Sequence, residues 1–150
     1  MLTEDIKELI SINKDRIEGF KKIEKQAKDL PEVLMLCGGK VVQSELFIEE
    51  LTGLVKKTGD IVKGSVEGRL LRAWMDFKNA LTRDNTAAIL DSAVFGEDSA
   101  VKVYEEVLMR IKETDEHKGI IHQQQEKIQQ SLDEFRRLKE QLHDSSMHNH

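Results

Sequence analysis

The 150-residue sequence contains one cysteine, one proline and few aromatic residues, which make up 5% of the chain. A single cysteine excludes an internal disulfide, so the chain lacks the framework of small secreted domains. Cys37 lies in the apolar stretch from Val33 to Val42, and we expect a buried, inert thiol there rather than a nucleophile. The scarcity of proline and aromatics, together with 34% charged residues, favours helices with one apolar stripe each over strands.

Long apolar runs and concentrated positive charge are also missing. The sequence has no uninterrupted apolar run of about 18 residues, the length a membrane-spanning helix needs. Its first residues show neither the basic region nor the apolar core of a signal peptide. The net charge of -5 comes from interspersed acidic and basic residues, without the basic face that duplex phosphates require. We therefore expect a cytoplasmic protein with no nucleic-acid partner and no stable membrane insertion.

Hydrophobic spacing predicts one domain, residues 1–143, with four long helices and one short one. Apolar residues recur at steps of three and four, which places them on one face of a helix. Thr3 is the expected N-cap of the first helix, and Pro31 separates the first helix from the second. The predicted helices span residues 3–29, 32–57, 66–82, 85–111 and 115–143, and residues 144–150 are predicted to form a disordered tail.

The connection between the second and third long helices is longer than a hairpin needs. Residues 58–83 contain Gly59, Gly64 and an amphipathic run that includes Trp74 and Phe77, which predicts a short helix within a crossover. Such a crossover can carry the chain back along helices roughly 35–40 Å long at 1.5 Å per residue. The second and third long helices are therefore predicted to be parallel, in an all-α, up-down-down-up four-helix bundle.

Several polar residues interrupt the predicted apolar stripes and indicate a polar layer inside the bundle. Tyr104 and Gln125 are predicted at the same height on consecutive antiparallel helices, so a hydroxyl-to-amide hydrogen bond should join them. A layer of this kind fixes the register of packed helices. Its predicted members are Asn13, Ser44, Glu97, Tyr104 and Gln125.

The carboxylate of Glu97 falls in an apolar seam and needs a partner. A buried carboxylate is stable when it is paired, well hydrogen-bonded or neutralised. We favour structural pairing, with Ser44, Arg16 or a group of the short helix as the partner. The alternative is a loosely bound hard cation held by Glu97 together with Glu18 and Glu45, although the last two lie off the inner stripe and fit solvated surface positions better.

A redox-active dinuclear metal centre is weakly supported by the sequence. Such centres in helix bundles use one Glu from each of two helices and a Glu-x-x-His pair from each of the other two. Glu45 is followed three positions later by Ile48, and Glu126 by Gln129, so neither carboxylate has the imidazole it would need. We predict no cofactor and no catalytic residue.

Some short motifs carry a family resemblance that extends from Leu2 to about Leu142. The motif residues are Asp15, Gly19-Phe20, Arg72-Ala73-Trp74-Met75, Lys78, Gly96-Glu97-Asp98 and Tyr104. On them the chain resembles bacterial ferritin-like four-helix-bundle proteins catalogued as a domain of unknown function. The resemblance implies a ferritin-like topology and no particular activity. The chain departs from the family pattern at Arg16, where members often carry a small residue, and at Leu132, where they often carry His.

The favoured function is that of a metal-free, non-enzymatic bundle that acts through protein contacts, as a homodimer. Trp74 and Phe77 are its predicted interface, because both cannot face the same groove as Leu71 and Met75. One alternative is a divergent di-metal carboxylate oxidase or metal-storage protein. Another is an amphipathic bundle that opens onto membranes or a client protein. This alternative rests on Gly38 and Gly39, because glycine destabilises the interior of a helix.

Overall fold

The fold consists of α-helices throughout the part of the chain that can be described. A computed structural model of the protein describes residues 2–57, 69–80, 86–113 and 115–148. These ranges contain no strand, so the predicted all-α bundle is confirmed. The helices are α1 (Leu2–Gln26), α2 (Pro31–Lys57), α3 (Arg69–Ala80), α4 (Thr86–Arg110) and α5 (Lys118–His148).

The ends of the helices lie within a few residues of the predicted ones. Thr3 is not the N-cap that was predicted, because α1 already begins at Leu2. A short turn after Gln26 leads directly into α2, and Pro31 is the first residue of that helix, where its missing N–H costs nothing. At the other end of the chain, α5 continues to His148 and does not end at His143 as predicted. The predicted stop at Gly59, Gly64 and the outer residues of the predicted short helix (66–68, 81 and 82) lie outside the described residues.

The four long helices pack as antiparallel neighbours. Pairs between α1 and α4 join Asp5 to Arg110 and Arg16 to Glu97, so residue numbers rise along one helix as they fall along the other. Pairs between α2 and α5 show the same order: Lys40 Nζ lies 2.9 Å from Glu134 Oε1, and Gln124 reaches the backbone of Phe47. The hydroxyl of Tyr104 on α4 likewise meets Gln124 on α5.

The buried apolar side chains form two clusters. In the cluster nearer the turn between α1 and α2, the ring of Phe20 meets Trp74 edge-on with centroids 5.3 Å apart and stacks on Phe135 at 5.6 Å. The other cluster contains Leu9 and Leu51. Fully buried polar residues are found on all four long helices. Within the described ranges, no helix is both long and apolar enough to cross a membrane.

Candidate functional site

The centre of the bundle contains an ion pair between Arg16 on α1 and Glu97 on α4. Both side chains have no exposed surface. Arg16 Nε donates to Glu97 Oε1 at 2.8 Å, and Arg16 Nη2 donates to Glu97 Oε2 at 2.8 Å. This two-point geometry is the one in which the guanidinium fork matches a carboxylate best. Of the partners predicted for Glu97, the structure shows Arg16.

Two of the three remaining N–H groups of Arg16 are also engaged. Nη2 donates to Gln43 Oε1 on α2 at 3.0 Å, and Nη1 donates to Asn13 Oδ1 at 3.2 Å. The guanidinium carbon lies 5.7 Å from the centre of the Phe20 ring and 5.9 Å from that of Phe47. A buried ion pair is tolerated when such additional hydrogen bonds and ring contacts replace the lost water.

Asn13 and Tyr104 extend these hydrogen bonds along the bundle, away from the turn between α1 and α2. Asn13 Nδ2 donates to the hydroxyl of Tyr104 at 2.8 Å and to the carbonyl of Leu9 at 2.9 Å. The Tyr104 hydroxyl in turn donates to Gln124 Oε1 on α5 at 2.7 Å. Burial raises the pKa of Tyr104 far above its ordinary value, against the lowering effect of the Asn13 hydrogen bond, so the hydroxyl keeps the proton that it donates.

Gln124 connects the buried groups to the surface of α2. Its amide Nε2 donates to Glu50 Oε1 at 3.1 Å and, at 3.4 Å, to the carbonyl of Phe47. All four long helices therefore contribute to one set of hydrogen bonds, which we call the polar network. It consists of Asn13, Arg16, Gln43, Glu50, Glu97, Tyr104 and Gln124.

Two of the predicted layer residues have other contacts. The hydrogen bond predicted between Tyr104 and Gln125 is wrong, because Gln124 accepts from the hydroxyl and Gln125 is only half-buried. Ser44 is buried, but its Oγ donates to the carbonyl of Lys40 one turn earlier in the same helix, at 2.7 Å. Ser44 is therefore not the partner of Glu97.

Residue spacing on α1 contains the signal that places Arg16 on the buried side of the helix. The buried residues of α1 include Leu9, Asn13, Arg16, Phe20 and Ile23, which alternate steps of four and three. A stripe chosen by hydrophobicity alone would pass through Ile17 in place of Arg16, but Ile17 is only half-buried. A strict 3-4 alternation identifies Arg16 on α1. On α5 the same rule is met equally by Gln124 and Gln125, since each lies three and four residues from Ile121 and Ile128. No comparable signal marks Gln43.

The described residues do not fit a dinuclear metal centre. Glu18 and Glu45 are exposed, and both oxygens of Glu97 are bound by the guanidinium of Arg16. A positive side chain thus occupies the position beside Glu97 that a cation would need. Across the ranges the structure covers, no group of three or more His, Cys, Asp or Glu side chains is arranged to hold a metal ion.

One Glu-x-x-His pair is present in the chain, away from the polar network. Glu140 precedes His143 by three residues near the C-terminal end of α5. The Glu140 side chain is exposed, and the side chain of His143 lies outside the described part of the structure. A second such pair, which a dinuclear centre would require, does not occur in the sequence.

Trp74 joins α3 to the bundle from inside. It is fully buried, and its indole Nε1 donates to Ser92 Oγ on α4 at 2.8 Å. A Cβ on Gly19 would lie 2.2 Å from the Trp74 ring, and a Cβ on Gly96 would lie 2.5 Å from it. The ring therefore packs directly on the backbones of α1 and α4, which only glycine permits. The prediction that Trp74 supplies an interface is wrong, because it has no exposed surface.

Other contacts hold the two ends of α3. At its start, Asp15 Oδ2 on α1 accepts hydrogen bonds from the backbone N–H groups of Leu70 (3.1 Å) and Leu71 (3.2 Å). A carboxylate at this end is favoured by the helix dipole. Further along, Phe77 is half-buried and stacks on Phe95 with ring centroids 4.4 Å apart. Most of the apolar surface expected to seek a partner on α3 is thus covered within the chain.

The thiol of Cys37 is buried, as expected. Its side chain has no exposed surface, and the desolvation raises its pKa to about 12. Since the thiolate is the reactive form, this cysteine is inert near neutral pH.

Comparison with known protein families shows the family to which the chain belongs. Residues 1–110, which cover α1 to α4, match the family described as Domain of unknown function (DUF2383). The chain belongs to this family. The predicted membership of a family of unknown function is therefore confirmed, and α5 follows the matched region. No curated protein and no solved structure matches the chain.

Several of the motif residues of this DUF2383 chain meet in one region of the fold. Asp15 caps α3, and Gly19 and Gly96 together make room for Trp74. Glu97 follows Gly96 directly and pairs with Arg16. The buried residues among those that carry the resemblance therefore attach α3 to the bundle and build its polar interior.

Removing the hydroxyl of Tyr104 should measurably weaken the DUF2383 fold. Tyr104→Phe leaves an N–H of Asn13 and the amide oxygen of Gln124 without their partner, which should cost about 1–3 kcal/mol of unfolding free energy in urea titrations. Gln125→Ala is the matched control and should change stability by less than about 0.5 kcal/mol. A larger loss for Gln125→Ala than for Tyr104→Phe would contradict the observed network.

Proposed function

We propose that this protein is a ferritin-like bundle of the DUF2383 family in which an ion pair takes the place of a dinuclear metal centre. We further propose that it is not an enzyme and that it acts through protein contacts, as a homodimer. The bidentate pair of Arg16 and Glu97, fully buried halfway along α1 and α4, is the observation that carries this proposal.

The helix directions support a ferritin-like, up-down-down-up topology. Since α2 follows α1 through a short turn, and α4 pairs antiparallel with α1, α2 and α4 run in the same direction. Two consecutive long helices with one direction need a connection that returns along the bundle. The chain between Lys57 and Thr86 is long enough for that and includes α3.

The chemistry of the centre supports a structural role. Arg16 is positively charged at any physiological pH and would repel a divalent cation from Glu97. The network also uses amides and a phenol, which are poor replacements for the carboxylates and imidazoles that iron and manganese prefer. Side chains bonded to one another in this way fix the register of four helices. We also propose a cytoplasmic location, on the ground of one unpaired, buried cysteine.

Elemental analysis tests the metal-free interior. The full chain, purified without a His-tag and then incubated with ferrous or manganous salt and desalted, should carry far less than one metal atom per chain. A variant with Glu140→Ala and His143→Ala controls for adventitious binding at the end of α5. Stoichiometric iron or manganese that survives in this variant would contradict the proposal and favour the di-metal oxidase or storage protein.

A further inference from the structure

A second regular stripe runs along α2, on the side that faces away from the bundle. Its residues alternate steps of three and four over the whole helix, and every one of them is exposed. This is the spacing of a coiled-coil seam. We call this stripe the outer seam; it consists of Glu32, Met35, Gly39, Val42, Leu46, Glu49, Gly53 and Lys56.

The middle of the outer seam is apolar. Met35 is 81% exposed, Val42 57% and Leu46 54%. Among the large hydrophobic side chains exposed in the described ranges, these three share the seam, and the fourth, Met109, lies on α4. Single exposed apolar residues are ordinary, but an aligned set on one helix indicates a contact surface.

The structure shows no close packing within the chain that would require glycine at the glycine positions of the outer seam. A Cβ on Gly39 or Gly53 would meet no described atom within 4 Å. Glycine inside a helix costs about 1 kcal/mol relative to alanine. Small residues at these positions would, however, let a neighbouring helix carry a large side chain close to the backbone of α2.

We propose that the outer seam pairs with the outer seam of a second copy of this chain, in an antiparallel two-fold contact centred beside Ser44. This inference rests on the proposed homodimer and identifies its interface. In this register the residue numbers that face each other add up to 88. The facing pairs are Val42 with Leu46, Met35 with Gly53, Gly39 with Glu49, and Glu32 with Lys56, each occurring twice.

The register is self-complementary in charge, size and polarity. Opposite charges meet at both ends, where Glu32 faces Lys56. A large side chain meets a glycine where Met35 faces Gly53. A parallel pairing would instead place each charged seam residue against its own copy, which is unfavourable. A contact between identical surfaces must satisfy this self-complementarity, and the antiparallel order does so.

The shape of the surface agrees with this occupant. An open groove runs between α2 and α5 beside the outer seam, so the partner helix would lie against a concave strip. Seam residues form one side of the groove, and charged or amide side chains of α5 form the other. The lining residues include Gly39, Val42, Leu46, Glu49, Lys127 and Glu134.

Sedimentation equilibrium of the full chain tests the seam. The wild type should be a dimer, and Leu46→Glu should raise the dimer dissociation constant by roughly a hundredfold, because two buried contacts per dimer each lose a central residue. Met109→Glu, which changes an exposed residue of α4 in the same way, should leave it within about threefold. Circular dichroism checks that both variants stay folded.

Two further variants test the antiparallel register. Glu32→Lys should weaken the dimer by roughly tenfold, and addition of Lys56→Glu in the same chain should restore it. Val42→Cys and Leu46→Cys chains should form a disulfide-linked dimer when mixed under oxidising conditions, and little when each is alone, since only facing residues come within disulfide reach. The native Cys37 is buried and does not compete.

The outcomes separate this inference from the proposed function. A dimer that Leu46→Glu does not weaken overturns the outer seam while leaving a homodimer with another interface. A Val42→Cys chain that links efficiently to itself overturns the proposed antiparallel pairing while leaving the homodimer. A monomeric wild type at high concentration overturns the seam and the dimer together. The metal-free interior is unaffected by either result, because elemental analysis measures it independently.

Discussion

Replacing Arg16 with methionine should cost about 3–5 kcal/mol of unfolding free energy. The variant removes the two hydrogen bonds to Glu97 and leaves its carboxylate buried without a counter-charge. It also removes the bonds from the guanidinium to Gln43 and Asn13. Urea unfolding followed by circular dichroism measures the effect.

A double variant distinguishes the ion pair from simple packing at this position. With Glu97→Leu added to Arg16→Met, no charge is stranded, and stability should recover most of the loss. Lys102→Ala serves as the control, because its exposed pair with Asp98 one turn away should contribute less than about 1 kcal/mol. A loss of less than about 1 kcal/mol for Arg16→Met alone would contradict the structural role that we assign to this pair.

Removing the Trp74 ring should destabilise the protein by about 3–5 kcal/mol. Trp74→Ala leaves a cavity between α1 and α4, removes the edge-on contact with Phe20 and frees the hydroxyl of Ser92 from its donor. Because this ring anchors α3, amide hydrogen exchange in α3 should accelerate more than in α2. Equal acceleration in both helices would contradict a local anchoring role.

The sign of the Gly96→Ala effect should depend on Trp74. In the wild type the new Cβ would lie 2.5 Å from the ring, so the forced shift should cost about 1–3 kcal/mol. In the Trp74→Ala background the ring is gone, and alanine should be stabilising by up to about 1 kcal/mol through helix propensity. Gly38→Ala, where no described atom lies near the added Cβ, is the control and should be stabilising in both backgrounds. An equal cost for Gly96→Ala in both backgrounds would contradict the proposed packing.

The sequence predicted the helices well because apolar spacing and turn residues act locally. Pro31 separates α1 from α2 as expected, and Glu97 is buried as its place in an apolar seam indicated. These features depend on the helical period alone. The end of α5 lies among polar residues, where no apolar spacing marks the last turn. The helix continues to His148, beyond the predicted end at His143.

The errors inside the core were shifts of a single residue. A stripe drawn through Ile17 follows hydrophobicity, whereas the buried position belongs to Arg16, whose charge made a surface position the default. Gln124 and Gln125 are neighbours of identical type, so composition cannot separate them. Between Ile121 and Ile128, a step of three and then four passes through Gln124, and a step of four and then three passes through Gln125. Packing against the neighbouring helices therefore decides which of the two points inward.

The burial of Trp74 could not be predicted from one helix. Its place depends on Gly19 and Gly96 lying opposite each other on different helices, a tertiary fact that local patterns do not contain. Because those glycines are far apart in sequence, nothing local indicated a place for the Trp74 ring inside the bundle. The excess apolar residues of α3 were therefore predicted to form a surface for another molecule. The outer seam of α2 differs from α3, because it combines exposed apolar residues with glycines that no described side chain of the chain packs against.

The stability of the purified protein with and without metal is the most direct test of an interior held by Arg16 and Glu97. A ligand that binds the folded state raises the free energy of unfolding in proportion to the logarithm of its concentration. We predict the same unfolding midpoint in chelator as in saturating ferrous or manganous salt. A midpoint that rises steadily with either metal, and that no longer rises in Glu97→Gln, would contradict the ion-paired centre.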